Sequence, residues 1–192
     1  MVVDVYNRIG VPAKCGSRYF DKTTPIFGFP QRISFRDFFL MKTRLDWIII
    51  RNPMEHLKSA LQTEIMNYFN DVNGIKEVLE SFLNLYGGGT HFYPQFCQKI
   101  YEVWYKTGFK LKVIDLSNLT GFLKDEFGID IPYHPEEFTF VWEDNYVPRD
   151  AVWDKCMVEF PELMNRLIDY AENDFGYYQA LLNGDRKLVK ML

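Results

Sequence analysis

The chain has 192 residues, of which 47% are hydrophobic and 17% aromatic, and its formal net charge at pH 7 is −4. This apolar content excludes a disordered or low-complexity chain, because such chains lack the apolar surface that offsets the entropy of ordering. The weak acidic charge has no basic arm or stripe beside it, which argues against general nucleic-acid binding. The length fits one core, and we predict a single domain over residues 1–192.

The N-terminal residues and the cysteines bear on the compartment. The sequence does not begin with a basic segment and a long apolar run, so it predicts no signal peptide. No stretch approaches the roughly 18 apolar residues of a membrane span. The three cysteines, Cys15, Cys97 and Cys156, are odd in number and widely spaced. This spacing argues against a disulfide framework and a CxxC metal site, and we expect a soluble, cytoplasmic protein.

Strands and helices alternate along the sequence, which predicts an α/β fold with a largely parallel sheet. In such sheets ligands bind at the carboxyl ends of the strands, which directs attention to the residues after Val11 and after Ile50. In chain order we predict a strand at 8–11, a possible helix from Ser17, a strand at 46–51, helices from 53, at 72–86 and 96–106, a strand at 109–115, a helix at 117–127, an irregular segment at 131–148 and a helix at 160–182.

The segment around residue 50 has the clearest local signals. Its apolar run at 47–50 is short and β-branched, which favours a central parallel strand covered on both faces. Asn52 can cap the following helix and Pro53 suits its first position. Glu55 completes an Asn-x-x-Glu capping arrangement. A strand leading directly into a well-capped helix is therefore predicted.

The first candidate phosphate site follows the strand at 8–11. Gly16 permits a close approach of the backbone, Ser17 offers a hydroxyl, and Lys14 supplies a positive charge. Backbone N–H groups at such a turn, at the start of a helix, favour an anion. The turn differs from the GxxxxGK[ST] loop of nucleotide triphosphatases. The candidate residues are Lys14, Cys15, Gly16, Ser17, Arg18 and Tyr19.

The second candidate site is formed by Arg51 and Ser59. An Arg at a strand's carboxyl end can bind a phosphate through two parallel hydrogen bonds. Ser59 lies less than two turns into the predicted helix and can present its hydroxyl to the same anion. The whole pattern, in one-letter code, is RNPxExxxSA.

This RNPxExxxSA pattern closely resembles the 3′-phosphate motif of sulfotransferases, and Lys14–Ser17 resembles the 5′-phosphosulfate loop of the same family. The resemblance implies a single sulfotransferase-like domain with the three-layer fold of P-loop nucleotide hydrolases. It also implies 3′-phosphoadenosine 5′-phosphosulfate (PAPS) as co-substrate, with no metal. Lys14 would neutralise the departing oxygen, while Arg51 and Ser59 would hold the 3′-phosphate. One departure is Ala13, which separates Pro12 from Lys14 where the family has the two adjacent.

The acceptor and the general base are less strongly indicated. Residues 91–95, His-Phe-Tyr-Pro-Gln, resemble the His-x-x-Pro-Gln segment of carbohydrate sulfotransferases, which favours a saccharide or another small hydroxyl acceptor. Residues 20–50 contain no His or Glu, so His91 is the preferred base, because an imidazole titrates near neutral pH. A purely structural role, in which His91 caps a loop or positions Gln95, remains open. His56 is expected on a solvated helix face.

Two alternatives remain open. A small-molecule kinase would need a Mg²⁺-binding carboxylate at a strand end, and Asp115 could serve. A degenerate, non-catalytic nucleotide-binding module would explain the scarcity of base candidates. A thermal-shift comparison of adenosine 3′,5′-bisphosphate with ATP and Mg²⁺ would distinguish the first alternative from a sulfotransferase.

Overall fold

The computed structural model describes residues 2–4, 9–11, 30–32, 45–84, 96–107, 111–130 and 146–186. The strands in this part of the chain are β1 (Val2–Asp4), β2 (Ile9–Val11), β3 (Pro30–Arg32), β4 (Trp47–Ile50) and β5 (Lys112–Asp115). The α-helices are α1 (Pro53–Ile65), α2 (Val72–Leu83), α3 (Phe96–Thr107), α4 (Leu119–Phe127), α5 (Arg149–Glu159) and α6 (Pro161–Asn183). Short 3-10 helices follow α1 at Met66–Tyr68 and precede α4 at Leu116–Asn118.

The strands form one sheet with the order β3-β1-β2-β4-β5. The strands β2, β4 and β5 run parallel, whereas β1 pairs antiparallel with both β2 and β3. The predicted α/β class is therefore confirmed at the level of a mixed helix and strand fold with three parallel strands. The antiparallel pairs of β1 and β3 were not predicted.

The chain divides into two compact units, which we call the sheet unit and the helical unit. Helices α3 and α6 each contribute to both units, because the divisions fall after Phe96 and after Gly176. The sheet unit comprises Met1–Arg51, Cys97–Thr139 and Tyr177–Leu192, and the helical unit comprises Asn52–Phe96 and Phe140–Gly176.

In the sheet unit, β4 is the buried centre of the parallel strands. Ile48, Ile49 and Ile50 are all fully buried, as the continuous apolar run predicts. At the start of β4, the Trp47 ring packs against Phe122 of α4 with their centroids 4.7 Å apart. Helix α4 therefore covers the sheet face that carries the Trp47 side chain.

The opposite face of the sheet carries the end of β5. Trp47 pairs in register with Lys112, and Asp115 lies three residues further along β5, so strand alternation puts Asp115 on the other face. There Tyr178 of α6 donates a hydrogen bond to the Asp115 carboxylate. The neighbouring Tyr177 packs edge-on against Tyr101 of α3, with centroids 5.5 Å apart. Helices α3 and α6 thus contribute to this second face.

The helical unit has its own apolar core, formed by α1, α2, α5 and the first part of α6. Its buried members share a helical spacing of three or four residues on each helix, which is the pattern of an amphipathic helix. They are Leu57, Ala60, Leu61, Ile65, Ile75, Leu79, Phe82, Leu83, Val152, Cys156, Met164, Leu167 and Ala171.

Local signals explain where three of these helices begin or end. The predicted cap of α1 is confirmed, because Asn52 Oδ1 accepts hydrogen bonds from the backbone N–H groups of Met54, at 3.0 Å, and Glu55, at 3.4 Å. Asp71 caps α2 in the same manner, because its Oδ1 accepts a hydrogen bond from the backbone N–H of Asn73. Helix α4 ends at Gly128, whose φ of 68° is the left-handed conformation that glycine adopts at little cost.

One helix boundary differs from the prediction, and one helix was not predicted. Helix α2 ends at Leu83 rather than Tyr86, because Asn84 takes an extended backbone conformation. Helix α5 was not predicted, since only Val152 and Cys156 of its residues are buried, and this gives a weak apolar pattern. A non-helical backbone conformation at Phe160 separates α5 from the long final helix, whose prediction is confirmed.

Among the described residues, no helix is both long and apolar enough to cross a lipid bilayer.

Candidate functional site

The three parallel strands bring their carboxyl ends to one edge of the sheet. Strand β2 ends at Val11, β4 at Ile50 and β5 at Asp115. Ile50 and Asp115 are register partners, so the residue after Ile50, Arg51, follows β4 beside the end of β5. This is the edge at which ligands bind in parallel α/β sheets.

Arg51 is half-buried and directly follows β4. Because Asn52 then caps α1, the chain passes from the strand end to the helix start within two residues. Arg51 is the last residue of this segment of the sheet unit, and the helical unit begins at Asn52. This short connection from strand to helix is the one that the sequence predicts.

Ser59 lies in the second turn of α1 and is half-buried. Its backbone carbonyl accepts a hydrogen bond of 3.1 Å from Thr63 Oγ1. This bond uses only the backbone of Ser59, so the Ser59 hydroxyl is not needed for it. A Ser59→Ala substitution therefore leaves the Thr63 contact intact.

His56, on the same helix, differs from the sequence expectation. It was expected on a solvated face, but it is 5% exposed. Its imidazole stacks on Phe96, with ring centroids 5.6 Å apart and an interplanar angle of 13°. The prediction failed because the stacking partner starts α3, some forty positions further along the sequence.

A buried carboxylate, Asp115, ends β5 at the same edge as Arg51. Asp115 Oδ1 accepts hydrogen bonds from the backbone N–H of Ser117, at 2.8 Å, and from the Ser117 hydroxyl. Asp115 Oδ2 accepts a hydrogen bond of 2.6 Å from the Tyr178 hydroxyl. Burial raises the pKa of Tyr178, and the hydrogen bond to Asp115 and the charge of that carboxylate raise it further. Tyr178 therefore remains a neutral donor that holds the end of β5.

A second pair that the sequence does not predict lies in the helical unit. Arg149, the first residue of α5, donates a hydrogen bond from Nη1 to Glu55 Oε2 at 2.8 Å. Both side chains are partly exposed, at 36% for Arg149 and 41% for Glu55. A guanidinium is thereby held beside the first turn of α1.

Several predicted site residues lie outside the described residues. For the phosphosulfate loop these are Lys14, Cys15, Gly16, Ser17, Arg18 and Tyr19, and for the general base it is His91. Their roles stay predictions from the sequence. In the part of the chain that the structure describes, no group of three or more His, Cys, Asp or Glu side chains is arranged to hold a metal ion.

No protein-family model, curated protein or solved structure matches this chain.

Proposed function

We propose that the chain binds PAPS and transfers its sulfuryl group to a hydroxyl of an acceptor, with a saccharide as the favoured class. The observation that carries the proposal is Arg51, a cation that directly follows the central parallel strand and immediately precedes the capped helix of Ser59. An Arg at this position can bind a phosphate with two parallel hydrogen bonds. The RNPxExxxSA pattern predicts this arrangement, in which a strand is followed by an Arg and then by a helix.

The sheet edge gives the proposal further support. Strand β2 pairs in parallel with β4 and ends at Val11, so the Lys14–Ser17 segment begins three residues after a strand that is the neighbour of β4. Phosphate-binding segments that follow adjacent parallel strands can serve two ends of one ligand. Helices on both faces of the parallel strands are also compatible with a three-layer fold like that of P-loop nucleotide hydrolases, which we include in the proposal.

The proposed reaction is an in-line displacement at sulfur. The acceptor oxygen forms a bond to sulfur while the bond from sulfur to the phosphate oxygen breaks, and adenosine 3′,5′-bisphosphate leaves. Lys14 would neutralise the charge on the departing oxygen, and His91 would take the proton from the acceptor hydroxyl. Catalysis of this kind depends on positioning and electrostatics, and Arg51 and Ser59 would supply the positioning by holding the 3′-phosphate.

The kinase alternative is weakened by the surroundings of Asp115. Both of its carboxylate oxygens already accept hydrogen bonds, from Ser117 and from Tyr178. A Mg²⁺ ion would have to compete with these donors for the carboxylate. Asp115 is thus better suited to holding the end of β5 than to coordinating a metal.

A thermal-shift comparison tests the proposal. We expect adenosine 3′,5′-bisphosphate to raise the melting temperature, with a smaller effect of ATP and Mg²⁺. Arg51→Ala and Ser59→Ala should each reduce the shift, while Arg166→Ala and Ser81→Ala, which change the same residue types elsewhere, should not. Stabilisation by ATP and Mg²⁺ alone would contradict the proposal. Binding without transfer to any hydroxyl acceptor and without slow hydrolysis of PAPS would favour the non-catalytic module.

A further inference from the structure

Glu55 of α1 contacts Arg149 of α5 and lies one helical turn before Ser59. Glu55 and Ser59 are four residues apart on one helix, so their Cβ atoms are about 6 Å apart on the same face. Arg149 donates its hydrogen bond to Glu55 at 2.8 Å, although the two residues are 94 positions apart in the sequence. A guanidinium from α5 therefore contacts the residue that lies one helical turn before Ser59.

The guanidinium of Arg149 retains donors for a second partner. A guanidinium carries five N–H donors, and the bond to Glu55 uses one nitrogen, Nη1. Within the described part of the chain, Glu55 is the one side chain with which Arg149 is paired. The side chain is 36% exposed, so the guanidinium is partly open to a ligand from solvent. Glu55 fixes the orientation of the guanidinium without saturating it.

We propose that Arg149 is a specificity-determining residue, which binds the same 3′-phosphate as Ser59 and so favours adenosine nucleotides that carry this group. The inference rests on the proposed function. A phosphate monoester carries close to two negative charges at neutral pH, so a cation near the Ser59 hydroxyl strengthens its binding. Arg149 supplies a cation of the helical unit in the planar form that suits phosphate oxygens.

Glu55 has a defined part in this site. Its carboxylate holds Arg149 in place, but its negative charge also opposes an incoming phosphate. A Glu55→Gln variant keeps an oxygen that can accept the hydrogen bond and removes the charge. The pair therefore predicts opposite effects for its two members: loss of Arg149 weakens binding, and neutralisation of Glu55 strengthens it.

The test compares the dissociation constants of adenosine 3′,5′-bisphosphate and adenosine 5′-phosphate by isothermal titration calorimetry. The dissociation constant of the 5′-phosphate divided by that of the bisphosphate isolates the contribution of the 3′-phosphate. We expect Arg149→Ala to lower this ratio by about tenfold, as for the loss of one charged hydrogen-bonding group, with the affinity for the 5′-phosphate unchanged. The ratio for Arg149→Lys should fall between those of the wild type and Arg149→Ala, since a lysine keeps the charge and loses the planar pair of N–H donors. Glu55→Gln should raise the ratio, and Arg166→Ala, on the exposed side of α6, should leave it unchanged.

The outcomes separate the two claims. If the wild-type protein does not prefer the bisphosphate, the proposed function fails. If the wild-type protein prefers it and Arg149→Ala retains the full preference, the role of Arg149 fails alone. Equal losses in Arg149→Ala and Glu55→Gln would also overturn this role, because they would mean that the pair supports the helices and not the ligand. Folding of each variant is checked by its melting temperature, which should change little because a partly exposed ion pair contributes little to stability.

Discussion

The hydroxyl of Tyr178 donates a hydrogen bond of 2.6 Å to Asp115, a residue 63 positions earlier in the sequence. The bond ties the C-terminal part of α6 to the carboxyl end of β5, beside the strand that precedes Arg51. Because Asp115 also accepts hydrogen bonds from Ser117, the carboxylate joins three segments of the sheet unit. A buried anion in this position is stable only while its donors remain in place.

We predict that Tyr178→Phe lowers the free energy of unfolding by about 1–3 kcal/mol, the usual contribution of a hydrogen bond to a charged group. Urea denaturation monitored by tryptophan fluorescence measures the change. Tyr170→Phe, on the same helix, is the matched control and should have a smaller effect. Equal effects of the two substitutions would show that the Tyr178 hydroxyl has no special role.

The same tyrosine predicts an alkaline dependence of stability. The pKa of Tyr178 is raised in the folded protein, so the folded state retains a proton that the unfolded state loses above pH about 10. The stabilising contribution is therefore complete below that pH and decreases as the pH rises above it. Urea midpoints between pH 8 and 11 should fall more steeply for the wild-type protein than for Tyr178→Phe. Parallel profiles would contradict the assignment.

The cap of α1 gives a prediction for helix stability. Asn52 accepts hydrogen bonds from two backbone N–H groups of the first turn. Asn52→Ala should cost about 1 kcal/mol in the free energy of unfolding, and Asn52→Asp should retain most of the stability, because aspartate caps a helix equally well. Asn165→Ala, at an exposed position of α6, is the control and should be neutral or slightly stabilising. Chemical denaturation distinguishes these outcomes.

The buried cysteines are expected to be unreactive. Burial, with a smaller effect of the nearby Glu159, raises the pKa of Cys156 to about 12, and Cys97 is also fully buried. Because the thiolate is the reactive form, iodoacetamide at pH 7.5 should leave both residues unmodified in the native protein. Mass spectrometry of tryptic peptides reads this directly, with the urea-unfolded protein as the positive control. Rapid native labelling of Cys156 would be incompatible with its position in the core.

The local features of the fold could be predicted from the sequence, whereas its long-range contacts could not. The buried strand at Ile48–Ile50 and the cap at Asn52 depend on neighbouring residues, and both predictions are confirmed. The contact of Arg149 with Glu55 depends on the packing of two helices, and the two residues are 94 positions apart in the sequence. A single Arg or Tyr has no sequence pattern that identifies such a partner. The same reason explains the wrong prediction for His56, whose exposure depends on Phe96.

The proposed reaction predicts that binding and transfer can be separated. Lys14→Ala should abolish sulfuryl transfer, because the departing phosphate oxygen would lose its positive partner in the transition state. The same variant should retain part of the affinity for adenosine 3′,5′-bisphosphate, since Arg51 and Ser59 would still hold the 3′-phosphate. Arg51→Ala should show the reverse order of effects, with the larger loss in nucleotide affinity. Transfer is measured with radiolabelled PAPS and a panel of hydroxyl acceptors, and affinity by calorimetry. If both variants lost affinity and transfer in the same proportion, the division of roles between the two phosphate sites would be wrong.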